Sequence, residues 1–225
     1  MNIRFDFVSD VVCPWCIIGY KQVEKALSLY EEIEGEALDA EFHWHPYELN
    51  PNMPPEGQDA GEHIAEKYGR TIEQARKGRE QMAKVGESVG FPFSYGDNMR
   101  VYNSFKAHKL LHWAKENHGA GGQTMLKMAF FKAYFQDRLD ISDADVLMGA
   151  LKNALPDADH DSALAALDDS AVEMKVRAEQ QSWRDRDIQG VPAIIIDEKF
   201  MVPGAQDAQT FVNVIRKVIM KRDAA

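Results

Sequence analysis

The sequence predicts an α/β fold in which strands and helices alternate near both ends of the chain and a helical segment separates them. Residues 3–9 alternate apolar and charged side chains, as a strand does, and residues 14–33 then follow the period of a helix. Residues 58–169 show helical patterns, and a helix, two short apolar strands and a last helix follow. This order is that of a thioredoxin-like fold with a large all-helical insertion domain.

Single residues mark the limits of the first helix. Pro14 suits the first turn of a helix, where its missing N–H would have no partner, and Gly35 suits the turn that ends one. Residues 40–47 then alternate again, which predicts a second strand. The proline-rich segment that follows predicts a loop before the helical block.

The remaining elements divide the chain into two domains. In the middle we expect helices over residues 61–68, 71–89, 103–118, 123–135, 142–154 and 160–166. Near the end we expect a helix over 170–186, a strand over 193–196, a turn over 197–199, a short partner strand and a helix over 207–221. Residues 1–57 and 170–225 would form the thioredoxin-like domain, and residues 58–169 the helical insertion domain.

Composition and charge exclude several classes of protein. The 225-residue chain has a formal charge of -10 and a pI near 5.2, so it lacks the basic stripe that binds nucleic-acid phosphates. No apolar run is long enough to span a bilayer, and the first residues show no signal peptide. We therefore expect a cytoplasmic protein that binds neither nucleic acid nor membrane. Its oligomeric state is left open.

The two cysteines stand in the motif Cys13-Pro14-Trp15-Cys16, at the expected start of the first helix. A bond between residues so close in sequence stabilises little of a fold, so the pair is catalytic or metal-binding. The N–H groups and the dipole of a helix N-terminus stabilise a thiolate at Cys13, which would attack a substrate disulfide. Cys16 would then resolve the mixed disulfide. We expect Pro14 and Trp15 to contact the substrate.

A metal site is the alternative for the cysteine pair. Tetrahedral zinc needs two further ligands, and the sequence has no second cysteine pair. His108 and His112 share a helical face, and His43 and His45 share a face of the second strand, but histidines without a metal are the commoner case at such positions. We therefore expect no metal.

A second chemical signal is Val191-Pro192, directly before the expected strand of residues 193–196. A proline there can simply begin a strand. In a chain with a C-x-x-C motif it can instead be a cis-proline, which leaves the Val191 backbone free to pair with an extended substrate beside Cys13. We expect Val191 to bind substrate and Pro192 to belong to the catalytic site.

Four segments together resemble one known family. They are the CPWC motif after FDFVSDVV, HPYELNPNMP, NSFKAHKLLHWA and GVPAIIIDEKFMVPGAQ. Over nearly the whole chain they resemble the FrnE-like branch of the DsbA family. The resemblance implies disulfide oxidoreductase activity, with Cys13, Cys16 and Pro192 in the family's redox and cis-proline positions. Related glutathione-dependent 2-hydroxychromene-2-carboxylate isomerases and kappa-class glutathione transferases typically have serine where Cys13 stands.

Because both thiols are present, we expect a thiol-disulfide oxidoreductase acting on protein or small-molecule disulfides or thiols. We expect no cofactor, although glutathione could serve as redox partner or co-substrate. The alternative is a glutathione-dependent isomerase or transferase, for which Cys16 is dispensable; a third class is a redox-sensing or chaperone-like binding protein. Trp15 stands where the periplasmic oxidant DsbA has a histidine. The indole of Trp15 offers no positive charge to the Cys13 thiolate, so we expect a less oxidising protein than that relative.

Overall fold

The computed structural model describes residues 1–96 and 98–223. Within them, the order of elements is strand, helix, strand, a mainly helical block, and then helix, strand, strand, helix. The strands are β1 (Asn2–Ser9), β2 (Asp39–Pro46), β3 (Gln58–Asp59), β4 (Arg100–Val101), β5 (Ala193–Ile196) and β6 (Phe200–Pro203). The helices are α1 (Pro14–Glu34), α2 (Ala60–Tyr68), α3 (Ile72–Ser88), α4 (Phe105–Phe135), α5 (Ala144–Ala154), α6 (His160–Asp168), α7 (Ser170–Asp185) and α8 (Ala208–Asp223).

Four of these strands form one mixed sheet in the order β2-β1-β5-β6. β1 and β2 are parallel because α1 crosses between them, whereas β1 with β5 and β5 with β6 are antiparallel. α1 and α8 pack against each other. This topology confirms the predicted thioredoxin-like fold, and the strand predicted over residues 193–196 coincides with β5.

The side chains of β1 pack into two separate hydrophobic clusters. Ile3, Phe5 and Phe7 are fully buried in the main core, with residues of α1, α8 and the helical block. Val8 belongs to a smaller cluster with Trp183 from the end of α7. Apolar residues therefore cover both faces of β1, and the end of this strand, where the cysteine motif begins, lies inside the molecule.

The helical block agrees with the prediction at one point and differs at another. The helices predicted over residues 103–118 and 123–135 are both present; they share the label α4 and meet at a kink at Gly119, where the backbone is not helical (φ 66°, ψ -169°). The insertion also contains the antiparallel pair β3 and β4. Two residues per strand are too few for an alternating pattern to be recognised, so the sequence does not predict this pair.

The proposed limits of the insertion, residues 58 and 169, stay a prediction. α7 contacts α4 and α6 as well as β2, so it touches both parts of the chain. One main core includes residues of α1, α4, α5 and α8. Among the helices that the described residues form, none combines the length and apolar character that a membrane span requires.

Candidate active site

The turn between β1 and α1 ends at Cys13, and Cys16 lies in the first turn of α1. Cys13 directly precedes the helix with an extended backbone (φ -93°, ψ 112°), and Pro14 takes the first helical position, where no N–H is needed. The Cys13 N–H donates to the Asp10 carbonyl at 3.2 Å, and the Cys16 N–H donates to the Cys13 carbonyl at 3.1 Å. Both cysteines therefore lie at the positive end of the α1 dipole.

The two thiols have different environments. Both are free and both are buried, but Cys16 is fully enclosed, whereas Cys13, which is 3% exposed, lines a cavity. Burial raises the pKa of the Cys16 thiol well above its usual range, and a hydrogen bond to Cys13 and negative charge on Cys13 raise it further. Cys16 is therefore protonated while both thiols are free.

The loop before β5 faces Cys13. The Val191-Pro192 peptide bond is cis, and the Val191 carbonyl accepts a hydrogen bond from the Cys13 thiol at 3.6 Å. The Pro192 carbonyl accepts the Gly204 N–H at 2.8 Å. α1 packs closely against this loop at Gly19, where a Cβ would lie 3.3 Å from Ile194 Cδ1 and 3.4 Å from the Pro192 ring. The fold thus brings Val191 to the thiol and packs Pro192 against α1.

A buried carboxylate anchors the cysteine loop. Asp10 is fully buried, its side chain accepts the Leu49 N–H at 2.7 Å, and its Oδ1 lies 3.4 Å from His108 Nε2. Burial acts to raise the pKa of Asp10, but His108, the Leu49 N–H and Ser104 outweigh burial and lower it. Asp10 is therefore a carboxylate that ties the cysteine loop to the segment after β2 and to α4.

A buried lysine lies on the interior side of the cysteines. Lys127 of α4 is fully buried, and its Nζ has no hydrogen-bond partner among the described residues. This ammonium group lies 5.3 Å from the ring centroid of Trp44 and 5.0 Å from that of Phe131. Burial lowers the pKa of Lys127 to about 8, although negative charge on Cys16 and Asp10 acts to raise it. Lys127 is thus a cation electrostatically coupled to the Cys16 thiol.

A cavity of about 590 Å³ lies in front of Cys13. Four of the site residues predicted from the sequence line it: Cys13, Pro14, Trp15 and Val191. The other two, Cys16 and Pro192, are buried and do not line it. A molecule in the cavity can therefore contact the Cys13 thiol, but it cannot contact the Cys16 thiol directly.

Of the two strand histidines considered as metal ligands, His45 is held by two carboxylates, whereas neither ring nitrogen of His43 makes a hydrogen bond among the described residues. His45 is buried, with Nε2 at 2.7 Å from Asp6 and Nδ1 at 2.6 Å from Glu179. His43 Nε2 lies 3.2 Å from a carboxylate oxygen of Glu41. In the part of the chain that the structure describes, no group of three or more His, Cys, Asp or Glu side chains could hold a metal ion.

Three further residues of the site are not singled out by sequence reasoning: Asp10, Lys127 and Lys67. Asp10 and Lys127 carry a recognisable signal, because each is a charged residue inside an apolar pattern. Lys127 precedes Phe131 by one helical turn, on the stripe that faces the core. Lys67 carries no such signal, since only the position of α2 beside the cavity brings it near Cys13.

A family model described as the DSBA-like thioredoxin domain matches residues 4–216. The match spans the cysteine motif, the helical block and Val191-Pro192. The Bacillus subtilis protein YwbO, which is uncharacterised, is 28% identical over 217 residues, which are 96% of this chain and 96% of that protein.

Two solved structures extend this comparison. A probable DsbA oxidoreductase from Streptomyces coelicolor has a TM-score of 0.83 and 28% sequence identity, and the match covers 96% of this chain and 89% of that one. The cytosolic disulfide reductase DsbM from Pseudomonas aeruginosa, solved with GSH, has a TM-score of 0.62 and 14% identity, with 99% and 100% covered. At that lower identity the likeness concerns the fold alone.

Proposed function

Because this chain belongs to the family of DSBA-like thioredoxin domains, we propose that it is a thiol-disulfide oxidoreductase acting through Cys13 and Cys16. One observation carries the proposal. The N-terminal end of α1 holds two free thiols, of which Cys13 faces a cavity and Cys16 is enclosed in the protein. In this arrangement the Cys13 thiol can react with a substrate, whereas the Cys16 thiol can react only with Cys13.

The reaction has two steps. The Cys13 thiolate, stabilised by the N–H groups at the start of α1, attacks one sulfur of a substrate disulfide, forms a mixed disulfide and releases a first thiolate, which takes up a proton. Cys16 then loses its proton and attacks the Cys13 sulfur, which releases the second substrate thiol and leaves a Cys13–Cys16 disulfide. In reverse, the same steps oxidise two substrate thiols.

Lys127 supports the second step. Burial and negative charge on Cys13 both raise the pKa of the Cys16 thiol, which slows its ionisation while Cys13 is a thiolate. In the mixed disulfide that negative charge on Cys13 is gone. The Lys127 ammonium remains and stabilises the Cys16 thiolate electrostatically.

Four residues around the thiols take the supporting roles. Pro14 and Trp15 line the cavity and contact the substrate, and the Val191 backbone binds an extended substrate segment. In the free protein the Val191 carbonyl accepts a hydrogen bond from the Cys13 thiol. This hydrogen bond is lost when Cys13 attacks the substrate. Pro192 holds the Val191 loop against α1.

The substrates in this proposal are protein or small-molecule disulfides and thiols, and glutathione is the redox partner. One relative of the same fold is a cytosolic disulfide reductase solved with GSH, which supports both glutathione and a cytoplasmic location. No other cofactor takes part in the proposed reaction. The helical insertion domain is proposed to begin at residue 58 and to end at residue 169.

The decisive experiment is an equilibrium titration in glutathione redox buffers. Samples are quenched with acid, free thiols are alkylated, and the mass of the protein reports how many thiols remain. We expect one two-electron transition between two free thiols and an intramolecular disulfide, with a parallel change in the fluorescence of Trp15. The absence of an intramolecular disulfide at every ratio of glutathione disulfide to glutathione would refute the proposal.

Replacement of the second cysteine separates the proposal from the glutathione-dependent isomerase or transferase. Cys16→Ser removes the resolving thiol, so it should accumulate a mixed disulfide at Cys13 and lose turnover of disulfides. Cys13→Ser is the matched control, because it should form no mixed disulfide at all. If Cys16→Ser instead keeps full glutathione-dependent activity, the isomerase alternative is favoured.

A further inference from the structure

The cavity in front of Cys13 has the size of a small-molecule site. Its volume of about 590 Å³ lies within the roughly 300–1,000 Å³ that such sites occupy in proteins. Cys13 and Trp15 form part of its wall, and α2, α3, the end of α4 and the segments before α2 and α4 contribute most of the rest. A ligand held between these helices would therefore lie directly against the nucleophilic thiol.

The wall opposite the cysteines is largely apolar. Aliphatic and aromatic side chains from α3, from the segment before α4 and from the end of α4 line it: Ala75, Met82, Val85, Tyr95, Met99, Tyr134 and Phe135. Phe135 is almost completely buried, and Tyr134 donates its hydroxyl to the Arg100 carbonyl at 2.9 Å. The aromatic rings are therefore held in place before any ligand arrives, which suits an apolar group of fixed shape.

Three cationic side chains line the same cavity: Lys67, Arg70 and Arg79. Among the lining residues that the structure describes there is no aspartate or glutamate. The whole chain has a formal charge of -10, whereas the charged side chains that line this cavity are all positive. Such a concentration of cations in a concave site attracts an anion.

Neither Lys67 nor Arg79 is neutralised at the cavity. The Lys67 ammonium donates to the Leu49 carbonyl at 3.1 Å and to the Asn50 side-chain oxygen at 2.8 Å, which are both uncharged acceptors. Burial lowers the pKa of Lys67, whereas negative charge on Asp10 and Cys13 acts to raise it, so this cation also senses the thiol. These contacts place the positive charge of Lys67 beside Cys13.

Arg79 carries the second positive charge across the cavity wall. Its side chain extends from α3 to the start of α2, where a Cβ on Gly61 would lie 3.4 Å from the guanidinium. The Asp59 carboxylate would lie 3.1 Å from the same Cβ, but it accepts the N–H groups of Gly61 at 2.8 Å and Glu62 at 3.0 Å, it is not within ion-pair distance of Arg79 among the described residues, and it does not line the cavity. Arg79 is therefore available for an anionic ligand.

We propose that this cavity binds small disulfides that combine an apolar body with an anionic group, with the anion at Lys67 and Arg79 and the apolar body against Met82, Tyr134 and Phe135. This inference rests on the proposed function and names a substrate class for it. The Cys13 thiolate attacks the disulfide of the bound molecule, and one half leaves as a thiol after protonation. Attack by Cys16 on the Cys13 sulfur then releases the other half as a second thiol, and the two electrons come from the protein dithiol.

The test compares four disulfide probes in single-turnover reactions with the reduced full-length protein. 5,5′-Dithiobis(2-nitrobenzoate) is aromatic and anionic, 4,4′-dithiodipyridine is aromatic and neutral, dithiodiacetate is aliphatic and anionic, and bis(2-hydroxyethyl) disulfide is aliphatic and neutral. Each rate is divided by the rate of dithiothreitol with the same probe, which removes differences in intrinsic reactivity. We expect the largest normalised rate for the aromatic anion, and a decrease of this preference as salt is added.

Charge variants identify the residues that cause the preference. Arg79→Met should lower the normalised rate for the aromatic anion about tenfold relative to that for the neutral aromatic probe, because one charge-assisted contact is lost. Arg79→Lys should restore part of the ratio. Arg76→Met is the matched control, since Arg76 lies on the same helix, is exposed, pairs with Glu80 and does not line the cavity. It should leave the ratio unchanged.

The outcomes separate this inference from the proposed function. If all probes oxidise the pair but the normalised rates show no preference for the aromatic anion, or if Arg79→Met and Arg76→Met behave alike, the substrate class is wrong and the oxidoreductase stands. If no probe produces a Cys13–Cys16 disulfide, both ideas fail together. Met82→Ala extends the test to the apolar wall, and it should reduce the preference for aromatic over aliphatic anions.

Discussion

Cys13 and Cys16 lie one helical turn apart, and their surroundings differ more than their positions in the helix. Cys13 faces the cavity and the Val191 carbonyl, whereas Cys16 is enclosed and senses the positive charge of Lys127. Accessibility therefore makes Cys13 the nucleophile of the proposed reaction. The burial that keeps Cys16 protonated also keeps external disulfides away from it.

Lys127→Met should increase the stability of the protein at neutral pH. The lowering of the Lys127 pKa from 10.5 to about 8 means that its buried charge costs about 3 kcal/mol of folding free energy below pH 8. Between about pH 8 and 10.5 the unfolded chain binds more protons, so the wild type gains stability as pH rises and the difference from Lys127→Met shrinks. Urea denaturation across this range measures both effects.

The control for that prediction is a lysine of the same helix. Lys132 is exposed and pairs with Asp137 at 2.6 Å, so Lys132→Met should change the free energy of unfolding by less than about 1 kcal/mol. A loss of stability in Lys127→Met would show that the ammonium is compensated in the folded protein. The same variant should also resolve the mixed disulfide more slowly than the wild type, which stopped-flow kinetics would detect.

At the scale of single elements, the bend in α4 brings two of its parts to the site. Before Gly119 the helix carries His108, which faces Asp10, and after it the helix carries Lys127. Gln123 accepts the Trp44 N–H at 2.9 Å and donates to the Trp44 carbonyl at 2.8 Å, so α4 also covers the outer edge of β2. An edge strand with such a partner is protected from pairing with another chain.

Gly119→Ala should destabilise the protein by about 2 kcal/mol, because a side chain rarely adopts the φ of 66° found there. No atom lies within 4 Å of the position that a Cβ would take, so the cost is in the backbone and not in packing. Gly121→Ala is the matched control in the same helix, also with open space around its Cβ. It should stabilise the protein by about 0.5–1 kcal/mol, as alanine favours helix over glycine. Thermal unfolding of both variants tests the pair, and equal effects would contradict the role of the bend.

At the scale of the whole molecule, His45 links the sheet to α7. Its ring lies between Asp6 of β1 and Glu179 of α7, at 2.7 Å and 2.6 Å, and Arg4 pairs with the same Asp6 at 2.7 Å. Burial acts to lower the pKa of His45, but its two carboxylate partners outweigh burial and raise it above 6.5. The same contacts lower the pKa of Asp6 to about 2.

This cluster predicts a stability maximum in mildly acidic solution. The contribution of His45 is fully present below pH 6.5 and is lost as pH rises through its raised folded-state pKa. The contributions of Asp6 and Glu179, whose pKa values are lowered, are present above their unfolded values of 3.8 and 4.5 and are lost as pH falls. Urea denaturation of the wild type should therefore show stability that declines as pH falls below this window and as pH rises from 6.5 towards about 8, above which the contribution of Lys127 acts in the opposite direction.

His45→Asn tests the assignment of the alkaline decline. It should cost about 3 kcal/mol near pH 6 and clearly less near pH 9, since it removes the cation that Asp6 and the partly buried Glu179 share, although Arg4 remains beside Asp6. His43→Asn is the control on the same strand, because His43 faces only the half-exposed Glu41. It should leave the pH dependence of stability unchanged. If the stability of His45→Asn still declines at alkaline pH as that of the wild type does, another group causes the decline.

Local patterns in the sequence determined most of the elements and the two chemical signals of the site. β1, α1, β5 and the motif Cys13-Pro14-Trp15-Cys16 are all short-range features, because strand alternation, helical period and a helix start involve residues that are neighbours in sequence. The Val191-Pro192 pair beside a C-x-x-C motif, and then the resemblance to the DsbA family, predicted Pro192 as part of the site. The interruption of α4 near Gly119 was predicted as the gap between two helices, whereas the pairing of β3 with β4 was not predicted, since it depends on contacts outside each segment.

Only the tertiary structure decided what surrounds the thiols. It placed Lys127 near Cys16, His108 against Asp10, and Lys67 and Arg79 on the cavity wall, although each pair or group is far apart along the chain. The physical reason is that burial and electrostatic coupling depend on distances in space, which the packing of the helical insertion over the sheet sets. The sequence determined which residues can carry the chemistry, and the packing of distant segments decided their solvation, their charge and what they can bind.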